Sequence, residues 1–256
     1  MKNKKLFLLD MDGTIYLDNE LFDGTLDFLD HVKKIGGKYM FLTNNSSKSV
    51  TAYVDKLASL GINSCKEDFL TSTQATSLYL NNNYKDKVIY AFGTKSFKEE
   101  LIESGLKITD KLSGGIEVLV MGFDTELTFQ KLEDACILLG RNIPFIATNP
   151  DLVCPTWYGY VPDCGSVSTM LYNATGKKPL FIGKPQPEMV YLAMQKAGFG
   201  KEETLLVGDR IYTDIACGVN AGIDTVLVLS GETKKEQALL SDTKPTYILE
   251  NIKELL

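Results

Sequence analysis

Short, continuously apolar runs recur along this chain, and several of them end abruptly in polar, turn-forming residues. Leu6-Phe7-Leu8-Leu9 runs into Asp10-Met11-Asp12-Gly13-Thr14, and residues 38–42 run into Thr43-Asn44-Asn45-Ser46-Ser47. Leu180-Phe181-Ile182 runs into Gly183-Lys184-Pro185, and Thr204-Leu205-Leu206-Val207 into Gly208-Asp209-Arg210. Unalternated runs of this length, followed by turn chemistry, are the pattern of parallel strands covered on both faces. Between them lie segments with helical spacing. Leu26, Leu29 and Val32 mark a helix over 25–35, stopped by Gly36-Gly37. Val50, Tyr53, Val54, Leu57 and Leu60 mark a second, closed by Gly61. Residues 15–22 read as a small hairpin flap, and 69–71 as a strand leading into a helix over 72–80.

From residue 81 to 178 the same alternation forms a self-contained block. Strands are expected at 87–92, 117–123 and 144–147, helices at 96–104 and 128–139, and a further helix at 166–174 started by Ser166. Strands at 224–229 and near 247, with a closing helix, complete the chain. The expected fold is therefore α/β: a Rossmann-like, doubly wound parallel sheet made of residues 1–80 and 179–256, with an α/β insert over 81–178. Thr43 and Lys184 are expected at the ends of two strands of the outer domain, on either side of the insert.

Composition narrows the function. The chain has 256 residues, 44% of them hydrophobic and 23% charged, with a formal net charge of −6 and no basic run beyond Lys2, Lys4 and Lys5. This argues against nucleic acid as the main partner. No stretch is long and apolar enough to span a bilayer. Asp10 interrupts the apolar run after the N-terminal lysines too early for a signal peptide, so a cytoplasmic location and no membrane partner are expected. Five scattered cysteines without a C-x-x-C pair support neither a disulfide framework nor a zinc site. The single histidine, His31, leaves no His-based metal cluster and no Ser-His-Asp triad to build.

Candidate chemistry collects at the strand ends, because ligands of open α/β sheets bind outside the carboxyl ends of the strands. Alternation sends Asp10 and Asp12 one way and Met11 back toward the core. Two carboxylates there suit a hard cation such as Mg²⁺ and a nucleophile directed at phosphorus; alternatively the aspartates cap a turn. Thr43 and the amides beside it could bind an anion at a helix N-terminus, or could simply cap that helix. Lys184 can place a cation near a strand end, or can be an ordinary surface lysine before a helix, and Asp209 and Asp214 bring acids to another strand end. Asn149, Asp151, Trp157 and Tyr160, in a segment of turns and aromatics, could line a pocket or form ordinary turns and an apolar plug.

In this order, D-M-D-G-T, T-N-N, G-K-P and G-D-R-x-x-T-D resemble the haloacid-dehalogenase-like (HAD) phosphatases. The long insert, with A-T-N-P-D inside it, is similar to the NagD and 4-nitrophenylphosphatase-like branch with a large C2-type (subclass IIA) cap. The resemblance implies a Mg²⁺-dependent phosphomonoesterase acting on small phosphorylated metabolites through an aspartyl-phosphate. Asp10 would be the nucleophile and Asp12 the general acid and base. Gly13, Thr43, Asn44 and Lys184 would bind phosphate, and Asp10, Asp12, Asp209 and Asp214 the metal. In the cap, Asn149, Asp151, Trp157 and Tyr160 would select the substrate. A homodimer is compatible with this branch. Two other readings are a receiver-like phospho-accepting signalling module, opposed by the length and the insert, and a non-phosphatase HAD hydrolase, which would not require Asp12.

Overall fold

The computed structural model describes residues 3–156 and 158–256. Trp157, expected to act in substrate selection, and Lys2 of the N-terminal lysine group lie outside the described residues. The chain divides into two compact units. One comprises Met1–Thr43, Val50–Leu70 and Lys184–Leu256, and the other Asn44–Ser49 and Thr71–Gly183.

In the first unit, six strands are ordered Tyr247–Leu249, Asp224–Val228, Thr204–Gly208, Leu6–Leu9, Lys38–Thr43, Phe69–Thr71. Leu6–Leu9 is central and runs parallel to Thr204–Gly208 on one side and Lys38–Thr43 on the other. All four of its side chains are buried, as its unalternated sequence requires of a strand covered on both faces. Phe7, Leu9, Phe41 and Val207 pack with Phe28 and Val32 of the helix Thr25–Lys34 and with Tyr53 and Leu57 of the helix Val50–Ser59. Tyr16–Leu17 and Glu20–Leu21 pair as the expected flap. Met11 is buried in the core, so Asp10 and Asp12 leave the strand on the other side.

In the second unit, five parallel strands are ordered Leu180–Phe181, Phe145–Ala147, Val118–Met121, Val88–Phe92, Lys107–Thr109. Their core joins Phe92, Leu119 and Met121 to Leu138 of the helix Phe129–Gly140 and to Val167 and Leu171 of the helix Cys164–Thr175. Lys107–Thr109 and the antiparallel hairpin of Val153–Thr156 with Gly159–Pro162 add to the elements anticipated from sequence.

The division falls at different residues from the 80/81 and 178/179 expected. The helix Ser72–Tyr84 belongs to the second unit and packs on the helix Lys95–Glu103. Leu180–Phe181, expected in the outer sheet, pairs with Phe145–Ala147 instead. Lys184 therefore follows a strand of the second unit although it belongs to the first. The helix expected from Ser166 starts at Cys164, because Asp163 accepts the Cys164 N–H and caps it.

Gly165 shows how closely the second unit is packed, since a Cβ there would lie 2.1 Å from the Pro150 carbonyl oxygen. Gly165→Ala should therefore lower stability by about 1–3 kcal/mol, the scale of overpacking in a dense interior. The denaturation midpoint checks this, and an unchanged midpoint would mean that the segment at Pro150 yields freely.

Candidate active site

At the carboxyl ends of the first unit's central strands, three acids converge. Asp10 follows Leu6–Leu9, Asp209 follows Thr204–Gly208, and Asp214 lies in the helical turn Ile211–Ile215. One carboxylate oxygen from each lies within 4.8 Å of the others. Lys184 Nζ is inserted among them, 2.6 Å from Asp10 Oδ1, 2.6 Å from Asp214 Oδ1 and 3.2 Å from the Leu42 carbonyl oxygen. Lys184 is only 2% exposed, and Asp209 and Asp214 are buried as well.

The electrostatics follow from this arrangement. Burial, then the Asp214 charge, hold the Asp10 carboxyl well above the usual carboxylate range, with Lys184 opposing them. Burial and Asp214 push Asp209 up to about 7. Burial alone would depress Lys184, but the Asp10 and Asp214 carboxylates outweigh it and raise its pKa above the ordinary lysine value. One ammonium among three carboxylates, Asp209 and Asp214 buried and Asp10 half-buried, leaves negative charge uncompensated when all three are ionised.

Asp209 also tests whether a cation fits. Its Oδ2 accepts the Glu232 N–H at 2.7 Å, whereas its Oδ1 is buried with no hydrogen-bond partner among the described residues. A buried carboxylate oxygen left unpaired is costly unless something positive occupies its lone pairs. The donor set is all oxygen, as hard divalent cations prefer. Gly13, at φ 88°, makes room: a Cβ there would lie 2.5 Å from Asp209 Oδ2. The expected phosphate-binding glycine thus sits directly against the Asp209 carboxylate.

The Asp12 carboxylate lies apart from this cluster. Tyr16 Oη donates to its Oδ2 at 3.3 Å, and Lys56 Nζ is 3.7 Å from its Oδ1 and 3.7 Å from the centre of the Tyr16 ring. The Asp12 side chain is 42% exposed and accessible to a proton-exchanging group. Thr43 is buried as the last residue of its strand.

Asn44 begins the other unit, and its amide is engaged there. Nδ2 donates to Asp151 Oδ2 at 2.9 Å, and Ser72 Oγ donates to the Asn44 carbonyl at 2.6 Å. Asn45 Oδ1 accepts from the Ser47 N–H and hydroxyl, and Ser46 Oγ accepts the Phe123 N–H and pairs with Thr148 Oγ1. Asn44 and Ser46 thus tie residues 44–49 to the rest of the second unit, and the helix begins only at Val50. Asn149 and Asp151 belong to the same network. Asn149 Nδ2 donates to Asp151 Oδ2 at 2.9 Å and to Asp163 Oδ1 at 3.2 Å, and Asn149 is fully buried. Tyr160, in contrast, is 64% exposed on the hairpin strand Gly159–Pro162.

Sequence reasoning missed the segment Ser230–Thr233, which lies over Asp209 and Gly13. Ser230 Oγ donates to the Gly13 carbonyl at 2.7 Å, and Thr233 N–H to the Asp209 carbonyl at 3.2 Å. Its S-G-E-T sequence, directly beyond the strand Asp224–Val228 in a sheet whose neighbouring strand ends carry the acids, was the available signal.

Comparison with known proteins agrees with this geometry. Residues 7–107 match the haloacid dehalogenase-like hydrolase family model, and residues 181–255 match a HAD-hydrolase-like one. The chain is 35% identical over 254 residues to the 5'-nucleotidase YutF of Bacillus subtilis (strain 168), covering 99% of this chain and 98% of that protein. It is 33% identical over 252 residues to an acid sugar phosphatase of Staphylococcus haemolyticus (strain JCSC1435), covering 98% and 95%. Among solved structures, a 4-nitrophenylphosphatase from Thermotoga maritima superposes with a TM-score of 0.94 at 39% identity, covering 99% of this chain and 96% of that one. A glycerol phosphate phosphatase from Mycobacterium tuberculosis, in complex with magnesium, does so with a TM-score of 0.91 at 28% identity, covering 96% and 74%. The chain belongs to the haloacid dehalogenase-like hydrolases, in their NagD-like branch. Within that family it is a phosphatase, a phosphoric monoester hydrolase of small phosphorylated metabolites.

The raised Asp209 carboxyl gives the candidate metal site a pH signature. A carboxyl lifted from 3.8 to about 7 on folding contributes stability that is complete below pH 3.8 and is lost as pH rises through about 7. A cation bound to the ionised form reverses that loss, so it competes with protons below pH 7. Metal binding should release more protons at pH 6 than at pH 8, and added metal should raise Tm more at pH 8. Calorimetric titration in buffers of different ionisation enthalpy measures the release; equal release at both pH values would contradict the assignment.

Proposed function

We propose that this chain is a Mg²⁺-dependent phosphomonoesterase that works through an aspartyl-phosphate on Asp10, with nucleoside monophosphates and sugar phosphates as its substrate classes. The observation that carries the reading is the buried Asp10–Lys184–Asp214 arrangement beside the unpaired Asp209 Oδ1. The names of the nucleotidase and acid sugar phosphatase relatives support the substrate classes.

Asp10 and Asp209 would hold the cation, with the Asp12 backbone carbonyl completing the protein's ligands and Asp214 supporting directly or through water. When bound, Mg²⁺ would screen the substrate's phosphoryl charge from the nucleophile and polarise the phosphorus centre. Lys184 and Thr43 would hold phosphoryl oxygens, Lys184 also keeping the Asp10 carboxylate oriented. Gly13 would leave space beside Asp209 for that group. Asn44, its amide engaged by Asp151, would act by fixing the chain next to Thr43.

In the first step an Asp10 oxygen forms a bond to phosphorus while the ester P–O bond breaks. Its electron pair leaves with the alkoxide, which takes a proton from Asp12. In the second step Asp12 removes a proton from water as the water oxygen attacks phosphorus. Inorganic phosphate leaves, and Asp10 is regenerated. Residues of the second unit would act as a cap that discriminates leaving groups, and the lack of any helix long and apolar enough to cross a membrane among the described residues suits a cytoplasmic enzyme.

Asp10→Asn should lower phosphate release by roughly 10³-fold or more while leaving the fold intact, the scale on which losing a nucleophile is read. Asp12→Asn should slow both formation and hydrolysis of the intermediate. Rapid-quench kinetics on Mg²⁺-saturated protein check both, and near-wild-type turnover of Asp10→Asn would reject the reading.

The cap residues separate by burial. Tyr160→Ala should change relative kcat/KM among phosphate esters with no loss of stability, because its ring is exposed. Asp151→Ala should lower stability, because it removes an acceptor shared by two buried amides, Asn44 and Asn149. A substrate panel and thermal melts on each variant distinguish the two. An unchanged substrate ranking for Tyr160→Ala removes it from selection.

A further inference from the structure

Resting on the reading of Asp10 and Asp209 as cation ligands, the geometry points to Glu232 as a positioning residue for the metal, acting through the strap Ser230–Gly231–Glu232–Thr233. Glu232 is joined to the Asp209 turn in two ways. Its own N–H donates to Asp209 Oδ2 at 2.7 Å, and its carboxylate is held by Arg210 and Tyr212 of that turn. Arg210 Nε forms an ion pair with Glu232 Oε2 at 2.9 Å, and Tyr212 Oη donates to Glu232 Oε1 at 2.9 Å. The side chain thus ties the strap to the Asp209 turn, and the backbone of the same residue holds the carboxylate.

The strap has further anchors. Ser230 Oγ donates to the Gly13 carbonyl at 2.7 Å, Thr233 N–H donates to the Asp209 carbonyl at 3.2 Å, and Ile211 N–H donates to Thr233 Oγ1 at 3.3 Å. Gly231 permits the close approach: a Cβ there would lie 2.0 Å from Asp209 Oδ2. Gly13 and Gly231 therefore both abut this carboxylate, and its rotation is confined.

The consequence is chemical. With Oδ2 accepting an N–H and Oδ1 accepting none among the described residues, Asp209 presents Oδ1 as its open oxygen, in a fixed direction. Mg²⁺ demands near-ideal octahedral geometry and tolerates misdirected ligands poorly, so a carboxylate fixed to one oxygen favours it over a cation that accepts bidentate, flexible ligation such as Ca²⁺. Loss of partners that orient a ligand typically weakens metal binding by about 10–100-fold.

Calorimetric titration of metal-free protein with Mg²⁺ and with Ca²⁺, without substrate, tests this. Glu232→Ala should weaken Mg²⁺ affinity by about tenfold or more and Ca²⁺ affinity less, with Glu232→Gln, which keeps a group able to accept from Tyr212, falling between. Gly231→Ala should weaken Mg²⁺ binding independently of the tether, by displacing the carboxylate. Circular dichroism and Tm verify each fold. A folded Glu232→Ala that binds Mg²⁺ as tightly as wild type overturns the strap's role. Wild-type protein that takes up neither cation overturns the metal reading and the strap's role together.

Discussion

The ammonium of Lys184 between the Asp10 and Asp214 carboxylates is the interaction on which the rest of the site depends. Buried carboxylates are tolerated only when their charge is balanced nearby, and here one cation lies among three acids. Lys184 offsets part of the charge and leaves the remainder as an attraction for a divalent cation. Its pKa, raised because the Asp10 and Asp214 carboxylates outweigh burial, keeps it charged through the range in which Asp209 titrates. Removing it would leave uncompensated charge in the interior, and supplying a second lysine would remove the reason for a metal.

Each acid reaches that point through the logic of the parallel sheet. Leu6–Leu9 and Thr204–Gly208 are adjacent and in register, so Asp10 and Asp209 emerge from the same edge of the first unit's sheet. Gly208 also matters at close range, since a Cβ there would lie 2.3 Å from the Asp214 side chain. Lys184 has a different origin: the strand before it pairs in the second unit's sheet. Thr43 is likewise the last residue of that stretch of the first unit before the chain passes into the second at Asn44. Both groups assigned to phosphoryl oxygens thus stand at crossings of the chain between units.

The sheet strands and the acid cluster were legible in the sequence because their signals are local. Four apolar runs, each ending in an acid, threonine or lysine, fix both the strand and what it delivers, and the order of the motifs identifies the family. The remaining features depend on partners distant in sequence. Leu180–Phe181 is two residues long in the structure, too short to reveal which sheet it joins, and its partner is Phe145–Ala147. Asn149 and Asp151 carry polar side chains in a turn-rich segment, which reads as a surface; their burial follows from hydrogen bonds to Asn44 and Asp163 that no spacing rule anticipates. Ser230–Thr233 carries ordinary turn residues, and its importance appears only when Asp209 is found beneath it.

On the proposed reading, the charge left over by Lys184 is met by one divalent cation bound between Asp10 and Asp209 Oδ1. Anomalous diffraction from crystals soaked in Mn²⁺, a cation of the same oxygen-ligand preference, locates that ion directly. A single strong peak is expected within bonding distance of Asp209 Oδ1 and an Asp10 oxygen, at roughly 2.0–2.3 Å, close to the Mg²⁺–oxygen distance. A peak on Asp209 Oδ2, on Asp12 without Asp10, or away from the three acids would contradict it.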